Sequence, residues 1–308
     1  MLKQIPPTIG FDPSPSHGIS SSEHYLEMGH NVLMAINHKR INMGLVTKGI
    51  GILRNEGVIT FVGKSMNFVT QKAKAQTYKI GSGRICPICE FDGMRFTSSG
   101  NPPRPESQCP QCGAKERSRL LWYYIQNETD LTDGGDKILH FAPTSNFPEK
   151  LREYGNDVLT TNLMVDGVDI NADITRLPFS DGEFNWIICS HVLEHVPDDR
   201  AAMSEMSRIL DSEGEALIMV PKDKARNQTY EDNSITSPEA RQREFGQENH
   251  VRWYGTDFTE RLSNSGFDVS TETYADSLDN DTIERYGLRV RDQHLDRIKF
   301  EDIHHCSK

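Results

Sequence analysis

From about residue 136 the chain alternates continuous apolar runs with segments of helical periodicity. KILHFAP, DVLTTNL, FNWIICS, ALIMVP and FDVSTETY read as strands. NFPEKLREYG, opened by Asn146 with Glu149 three residues on, DDRAAMSEMSRIL, capped by Asp198 or Asp199, and FTERLSNSG, closed by Gly266, read as helices. Apolar runs without alternation, separated by helices, predict a parallel sheet covered on both faces, and ligands of such sheets bind at the carboxyl ends of the central strands. The expected architecture is α/β, a doubly wound, mostly parallel Rossmann-like sheet over residues 131–308. A small module over 81–130 and an arm over 1–80 precede it. In the arm, Val32, Leu33 and Ile36 recur near helical spacing, but five glycines between Gly44 and Gly63 weaken the helix by about 1 kcal/mol each. The arm therefore reads either as a helical element packed on the main domain or as a basic amphipathic stretch lying on a membrane or a partner.

Charge sharpens that division. Of 308 residues with a formal net charge of −11, residues 1–80 hold nine Lys/Arg against four Asp/Glu, about +5, and the remainder holds 25 against 41, about −16. An acidic body repels a phosphate backbone, so nucleic-acid binding across it is disfavoured. A hydrophobic fraction of 36% supplies an ordinary core, and neither a membrane-spanning run nor the apolar core of a secretory signal is visible, so a cytoplasmic protein is expected, with peripheral contact through residues 20–80 left open.

Cys86, Cys89, Cys109 and Cys112 form C-x2-C-x19-C-x2-C. Thiolates paired two apart at both ends are what a tetrahedral zinc ion takes from two facing turns, and four of them leave no open coordination position, so the expected Zn²⁺ is structural. Pro87 and Pro110 stiffen the turns, and Gly113 follows the second pair where a positive φ is easily adopted. Arg117 and Arg119 then lead into LLWYYIQ. Basic residues beside aromatics can grip single-stranded nucleic acid; the other reading makes Trp122, Tyr123 and Tyr124 the packing face of a helix that docks the ribbon.

The run HVLEH, residues 191–195, fits the H-x-x-E-H pattern of zinc proteases. It comes directly off the strand FNWIICS, and Pro197 leaves scarcely one helical turn, so His191 and His195 do not share a helix face. No third ligand stands out downstream. The protease reading fails, and the histidines belong to a loop at the carboxyl edge of the sheet.

The stretch DITRLPFSDGEFNWIICSHVLEHVPDDRAAMSEMSRILDSEGEALIMVP resembles the core of class I S-adenosylmethionine-dependent methyltransferases of the type 11 group, with their Asp-x-x-x-Leu-Pro-Phe segment, Leu-Glu-His triplet and Arg-(Ile/Val)-Leu turn. The segment from TYEDNS to GFDV resembles a subset in which a four-cysteine ribbon precedes the methyltransferase domain. The resemblance implies a methyltransferase-like domain over 131–308 and S-adenosylmethionine as cofactor. It implies that Asp173 receives the adenine amino group, that Ile174 and Leu177 line the adenine pocket, and that Ser190 and His191 lie near the methionine part. Asp173 also reads as a turn cap, and His191 as a structural histidine. Two positions depart from the pattern. The loop after the first strand is Ala142-Pro143-Thr144-Ser145-Asn146, without glycine, so close approach to the cofactor rests on small residues such as Ala142. Asn162 stands where an acidic residue would bind the ribose hydroxyls, at a cost of about 1 kcal/mol in charge-assisted bonding, with Asp166 a nearby substitute.

In-line displacement at a sulfonium needs alignment of donor and acceptor, and a base where the acceptor carries a proton. His191, His195 and His250 are the candidate bases, Arg252 a candidate for an anionic substrate group, and Trp253 or Tyr254 a candidate stacking surface. The leading expectation is a methyltransferase acting on a small-molecule or glycan-type acceptor. The alternatives are a zinc-ribbon RNA methyltransferase and a non-catalytic protein that keeps the methyltransferase fold.

Overall fold

The computed structural model describes residues 77, 78, 80–100, 103–163, 167–289 and 301–308, which all belong to one compact unit, Lys64–Lys308. The expected arm over 1–80 and the proposed substitute Asp166 lie, but for positions 77, 78 and 80, outside the described residues.

The amino-terminal module consists of two short hairpins. Strand β1 (Arg84–Ile85) pairs antiparallel with β2 (Asp92–Gly93), and β3 (Thr97–Ser99) with β4 (Arg104–Gln108). The two cysteine pairs sit in matching turns. Cys86 N–H donates to Phe91 O and Cys86 O accepts from Glu90 N–H; Cys109 and its partners Ala114 and Gly113 repeat both bonds. CPICEF and CPQCGA are therefore one turn used twice. Gly113 takes the left-handed conformation expected of it, φ 79°, and Glu90 takes it at φ 59° in the first turn.

Helix α1 (Glu116–Glu128) follows, then β5 (Lys137–Phe141), α2 (Phe147–Glu153), β6 (Asp157–Thr161) and β7 (Phe184–Ser190). Next come a single 3-10 turn Leu193–His195, α3 (Asp199–Ile209) and β8 (Leu210–Met219). The remainder is β9 (Tyr230–Glu231), α4 (Pro238–Phe245), β10 (Arg252–Trp253), α5 (Phe258–Ser263), β11 (Asp268–Glu272), α6 (Tyr274–Ser277), α7 (Asn280–Tyr286) and β12 (Ile303–Ser307).

The central sheet runs β11-β12-β8-β7-β5-β6. Strands β6, β5, β7 and β8 are parallel, with Leu139 opposite Ile187 and Cys189 opposite Ile218. Strand β12 enters antiparallel between β8 and β11. Successive side chains face opposite sides: Ile138, Ile188 and Leu217 share a cluster with α1 and the ribbon residues Ile88, Phe91 and Phe96, whereas Leu139, Ile187 and Ile218 pack with Ala202, Met203 and Met206 of α3. The architecture is the expected doubly wound, mostly parallel one.

Helix α3 is capped by Asp198, whose side chain accepts from Ala201 N–H at 3.0 Å. Its neighbour Asp199 is buried in other company. Asn146 occupies the N-cap of α2 but makes no side-chain cap bond. Strand β12 was not foreseen from sequence, because IHHCS alternates weakly and carries two histidines.

Candidate active site

At the carboxyl ends of β5 and β7 lies a narrow cleft lined by His140, Phe141, Ala142, Thr144 and Ser190, with Arg117 and Leu121 of α1 forming its opposite wall. The ribbon thus bears on the site by seating the helix that closes it. Arg117, which the sequence offered only as a nucleic-acid contact, brings a cation to that wall. Its neighbours settle the role of the aromatic stretch: Trp122 is fully buried and Tyr124 nearly so. Arg119 is likewise fully buried and donates to the carbonyls of Ser107, Ala114, Tyr286 and Gly287. The stretch packs α1 against the sheet, and neither Arg119 nor Trp122 is available to a nucleic acid.

The loop after β5 does without glycine under strain. Ala142 stands at φ 44° and Ser145 at φ 87°, left-handed values that cost a non-glycine residue about 1 kcal/mol or more. Ala142 N–H donates to Thr161 O at 2.7 Å, which pins this loop to the end of β6. Ser145 Oγ and, at the end of β6, Thr161 Oγ1 are buried without a hydrogen-bond partner. Buried hydroxyls left bare at the mouth of a parallel sheet are what a polar ligand satisfies on binding, so the residues present fit a nucleotide cofactor despite the missing glycines.

The other expected cofactor residues fall around the same edge. Asn162 follows β6, and its carbonyl accepts from Asn171 Nδ2. Asp173 is exposed, with Oδ1 accepting from both Thr175 N–H and Thr175 Oγ1, a turn cap that leaves its other oxygen directed elsewhere. Ile174 and Leu177 are buried in the cluster beneath Phe141. Ser190 ends β7 on the cleft wall, its Oγ 3.9 Å from Met219 Sδ.

His191 is the first residue past β7 and takes φ 57°, with its N–H donated to Met219 O. Its ring lies between two carboxylates: Nδ1 is 3.3 Å from Glu194 Oε1, and Nε2 is 3.2 Å from Glu301 Oε2. Burial and the charge of Arg117 push its basicity down, but Glu301 and Glu194 outweigh them and the pKa is raised. Glu301 lies more than a hundred residues away in sequence and carries no local signal, so sequence reasoning missed it.

The 3-10 turn Leu193–His195 confirms that HVLEH offers no protease helix. The structure nevertheless brings to this turn a downstream histidine that the sequence offered only as a candidate base. His250 lies with its ring 4.7 Å from that of His195, and Glu194, His195 and His250 each offer a ligand atom within 4.8 Å of the others. His250 is 3% exposed; burial holds its pKa down at about 4, so it is neutral near pH 7. Glu194 is 1% exposed; burial alone would raise its pKa, but the adjacent His191 reverses the direction and keeps it ionised.

The segment holding His250 is fastened to this turn. Val251 N–H donates to Glu194 O at 2.9 Å, and the Arg252 guanidinium donates to the carbonyls of Leu193, Val196 and Pro197. Arg252 is buried and also pairs with Glu231, so it does not hold a substrate anion as the sequence suggested. Tyr254 is fully buried and donates to Asp199 Oδ2, so it offers no stacking face either; Trp253 packs beside His250.

In the ribbon, the sulfurs of Cys86 and Cys112 are 3.7 Å apart and those of Cys89 and Cys109 3.6 Å. A tetrahedral zinc ion with bonds near ~2.3 Å sets its sulfurs about 3.8 Å apart, so the four thiols fit that ion as they stand.

Residues 142–218 match the family described as a methyltransferase domain, from the strained loop after β5 to the end of β8. This segment is a methyltransferase domain. It contains every cleft residue contributed by the sheet beyond Phe141, and the chain is accordingly a methyltransferase, as expected. No curated protein matches the chain. Among solved structures, an S-adenosylmethionine-dependent methyltransferase from Mesorhizobium loti is 17% identical, covering 61% of this chain and 98% of its own, with TM-score 0.44. A 1,6-didemethyltoxoflavin-N1-methyltransferase from Burkholderia thailandensis is 11% identical, covering 63% and 77%, with TM-score 0.43. Among the described residues, no helix is long and apolar enough to cross a membrane.

Proposed function

We propose that the chain transfers a methyl group from S-adenosylmethionine to a small-molecule or glycan-type acceptor, with a zinc ion holding the ribbon. The observation that carries this reading is the cleft at the carboxyl ends of β5 and β7 within the methyltransferase domain, with Ser145 Oγ and Thr161 Oγ1 buried and unsatisfied at its edge. Bound S-adenosylmethionine supplies an electrophilic methyl on a sulfonium. The residues around the cleft have separate tasks. Arg117, with Ala142 and Ser190 opposite, would hold the methionine carboxylate; Thr161 and Asn162 would bond the ribose; Asp173 would accept from the adenine amino group above Ile174 and Leu177. His191, with Nδ1 facing Glu194 and Nε2 facing Glu301, has both ring nitrogens engaged and suits orientation of an acceptor better than proton removal.

The small-molecule or glycan reading is supported over RNA by the acidic body and by the burial of Arg119 and Trp122, which withdraw the ribbon's basic-aromatic stretch from a nucleic-acid surface. Titration calorimetry of the zinc-loaded chain with S-adenosylmethionine and S-adenosylhomocysteine tests the cofactor. One-to-one heat that disappears in Arg117→Ala is expected, and no heat with either compound defeats the reading. Transfer of radiolabelled methyl groups to fractionated extract then identifies the acceptor class.

A further inference from the structure

We propose that Glu194, His195 and His250 form a second metal site, which takes one first-row divalent cation such as Mn²⁺, Fe²⁺, Co²⁺ or Zn²⁺ and leaves coordination positions open. It is separate from the cysteine ribbon.

Three observations converge on this site. The first is ligand chemistry: two imidazoles and one carboxylate gather within 4.8 Å, a set suited to first-row ions, whereas Mg²⁺ and Ca²⁺ favour oxygen ligands. The second is the state of the ligand atoms. Glu194 Oε2 and His250 Nε2 are buried and have no hydrogen-bond partner, an arrangement costly to keep bare on residues that are 1% and 3% exposed. The third is ring orientation. His250 Nδ1 is bonded to Phe245 O at 3.1 Å and His195 Nδ1 to Asn249 O at 3.2 Å. A carbonyl partner fixes the proton on Nδ1 in both rings and leaves both Nε2 lone pairs for the site, the outer-shell arrangement that metal-binding histidines use.

The frame around these ligands is rigid where it must be. Arg252 clamps the three carbonyls of residues 193, 196 and 197, and Val251 N–H fixes Glu194 O, so Glu194 and His250 are held from both sides. His195, at 33% side-chain exposure, is the adjustable member. Bonds near ~2.1 Å set neighbouring ligand atoms about 3.0 Å apart in octahedral and about 3.4 Å in tetrahedral geometry, so binding draws the His195 ring, its Nε2 now 3.9 Å from Glu194 Oε1, inward by roughly 0.5–1 Å. His191 Nδ1 stands 3.3 Å from Glu194 Oε1, so the site adjoins the loop that leaves the end of β7. The inference does not depend on the proposed cofactor or acceptor, because metal uptake is read without either.

The test uses the full chain, dialysed against a mild chelator that leaves the ribbon loaded, and titrates Mn²⁺ by electron paramagnetic resonance. Mn²⁺ is chosen because a four-thiolate ribbon disfavours it. One bound Mn²⁺ per chain is expected, with affinity weakened at least about tenfold in His250→Gln, Glu194→Gln and His195→Gln, the loss typical of a disturbed ligand shell. Because His195 is partly exposed, its variant keeps the test valid should the buried variants fail to fold, with near-ultraviolet circular dichroism as the check. Co²⁺ gives a second readout, through a visible spectrum of nitrogen and oxygen ligation distinct from thiolate charge transfer. Failure of the wild-type chain to take up Mn²⁺, Co²⁺ or Zn²⁺ beyond the ribbon's one ion overturns the proposal, as does uptake that is unchanged in folded His195→Gln.

Discussion

Replacing Arg119 by methionine removes a fully buried guanidinium while keeping an unbranched side chain of similar reach. Arg119 donates through Nε to Tyr286 O at 2.9 Å, through Nη2 to Gly287 O at 2.8 Å and through Nη1 to Ala114 O at 2.7 Å, with Ser107 O farther off at 3.4 Å. Its plane also lies 4.0 Å from the ring centre of Phe96. Ala114 O keeps a second partner in Cys109 N–H, so the variant chiefly strands the carbonyls that end α7. Two stranded carbonyls at about 1–2 kcal/mol each, and a desolvated cation–aromatic contact of about 1–2 kcal/mol, outweigh the relief of no longer burying a charge. The expected loss is about 3–5 kcal/mol. Arg119→Lys, a point donor that cannot fork to carbonyls on two sides, should fall roughly midway. Gly287, at φ 57°, has no room for a side chain there: a Cβ would meet Arg119 Nη2 at 2.9 Å. Guanidinium chloride unfolding of the three proteins measures the differences, and limited proteolysis past Gly287 reports release of α7. A methionine variant within about 1 kcal/mol of wild type, or a lysine variant as stable as wild type, would refute the forked-latch account.

Two further outcomes follow from the same structure. Glu90→Gly replaces a left-handed glutamate at the position its twin turn gives to Gly113, and gives up only an exposed ion pair with Lys150. Thermal unfolding should show a gain of about 0.5–1 kcal/mol, and a net loss would mean that the two turns are not equivalent. His140 and His304 are buried; burial, with Arg152 beside the first and Lys222 beside the second, holds both near a pKa of about 3. Their folded values lie below the ordinary ~6.5, so the unfolded chain binds more protons between those limits, and stability present at pH 8 is lost as pH falls below about 6.5. The loss by pH 5 is about 2 kcal/mol for each histidine, readable in denaturant midpoints of zinc-saturated protein, and a flat profile from pH 8 to 5 would contradict it.

Local pattern carried the parallel strands of the sheet and the helices between them because burial on both faces leaves a visible mark: FNWIICS could hardly be anything but an interior strand. The paired cysteines were equally plain, since metal geometry constrains spacing along the chain. What stayed hidden depends on contacts between distant segments. His250 and Glu301 become neighbours of HVLEH only after the sheet and the 250–254 segment have folded over the 193–197 turn. Arg119 and Arg252 looked like surface cations because sequence does not announce which carbonyls lie in wait. The glycine-free loop was read correctly as unusual, and the positive φ of Ala142 and Ser145 supplies the physical reason it still bends.

Strand β12 lies between β8 and β11, and the register of both its edges is fixed by hydrogen bonding. A ribosome delivers β8 and β11 first, so the edge of β8 stays unpaired, and β11 without its sheet neighbour, until residues 303–307 emerge. The growing chain must shelter a bare, apolar template through that interval, which makes the delay before Ile303 the moment of greatest exposure to clumping and to helper proteins that guard unfinished sheets.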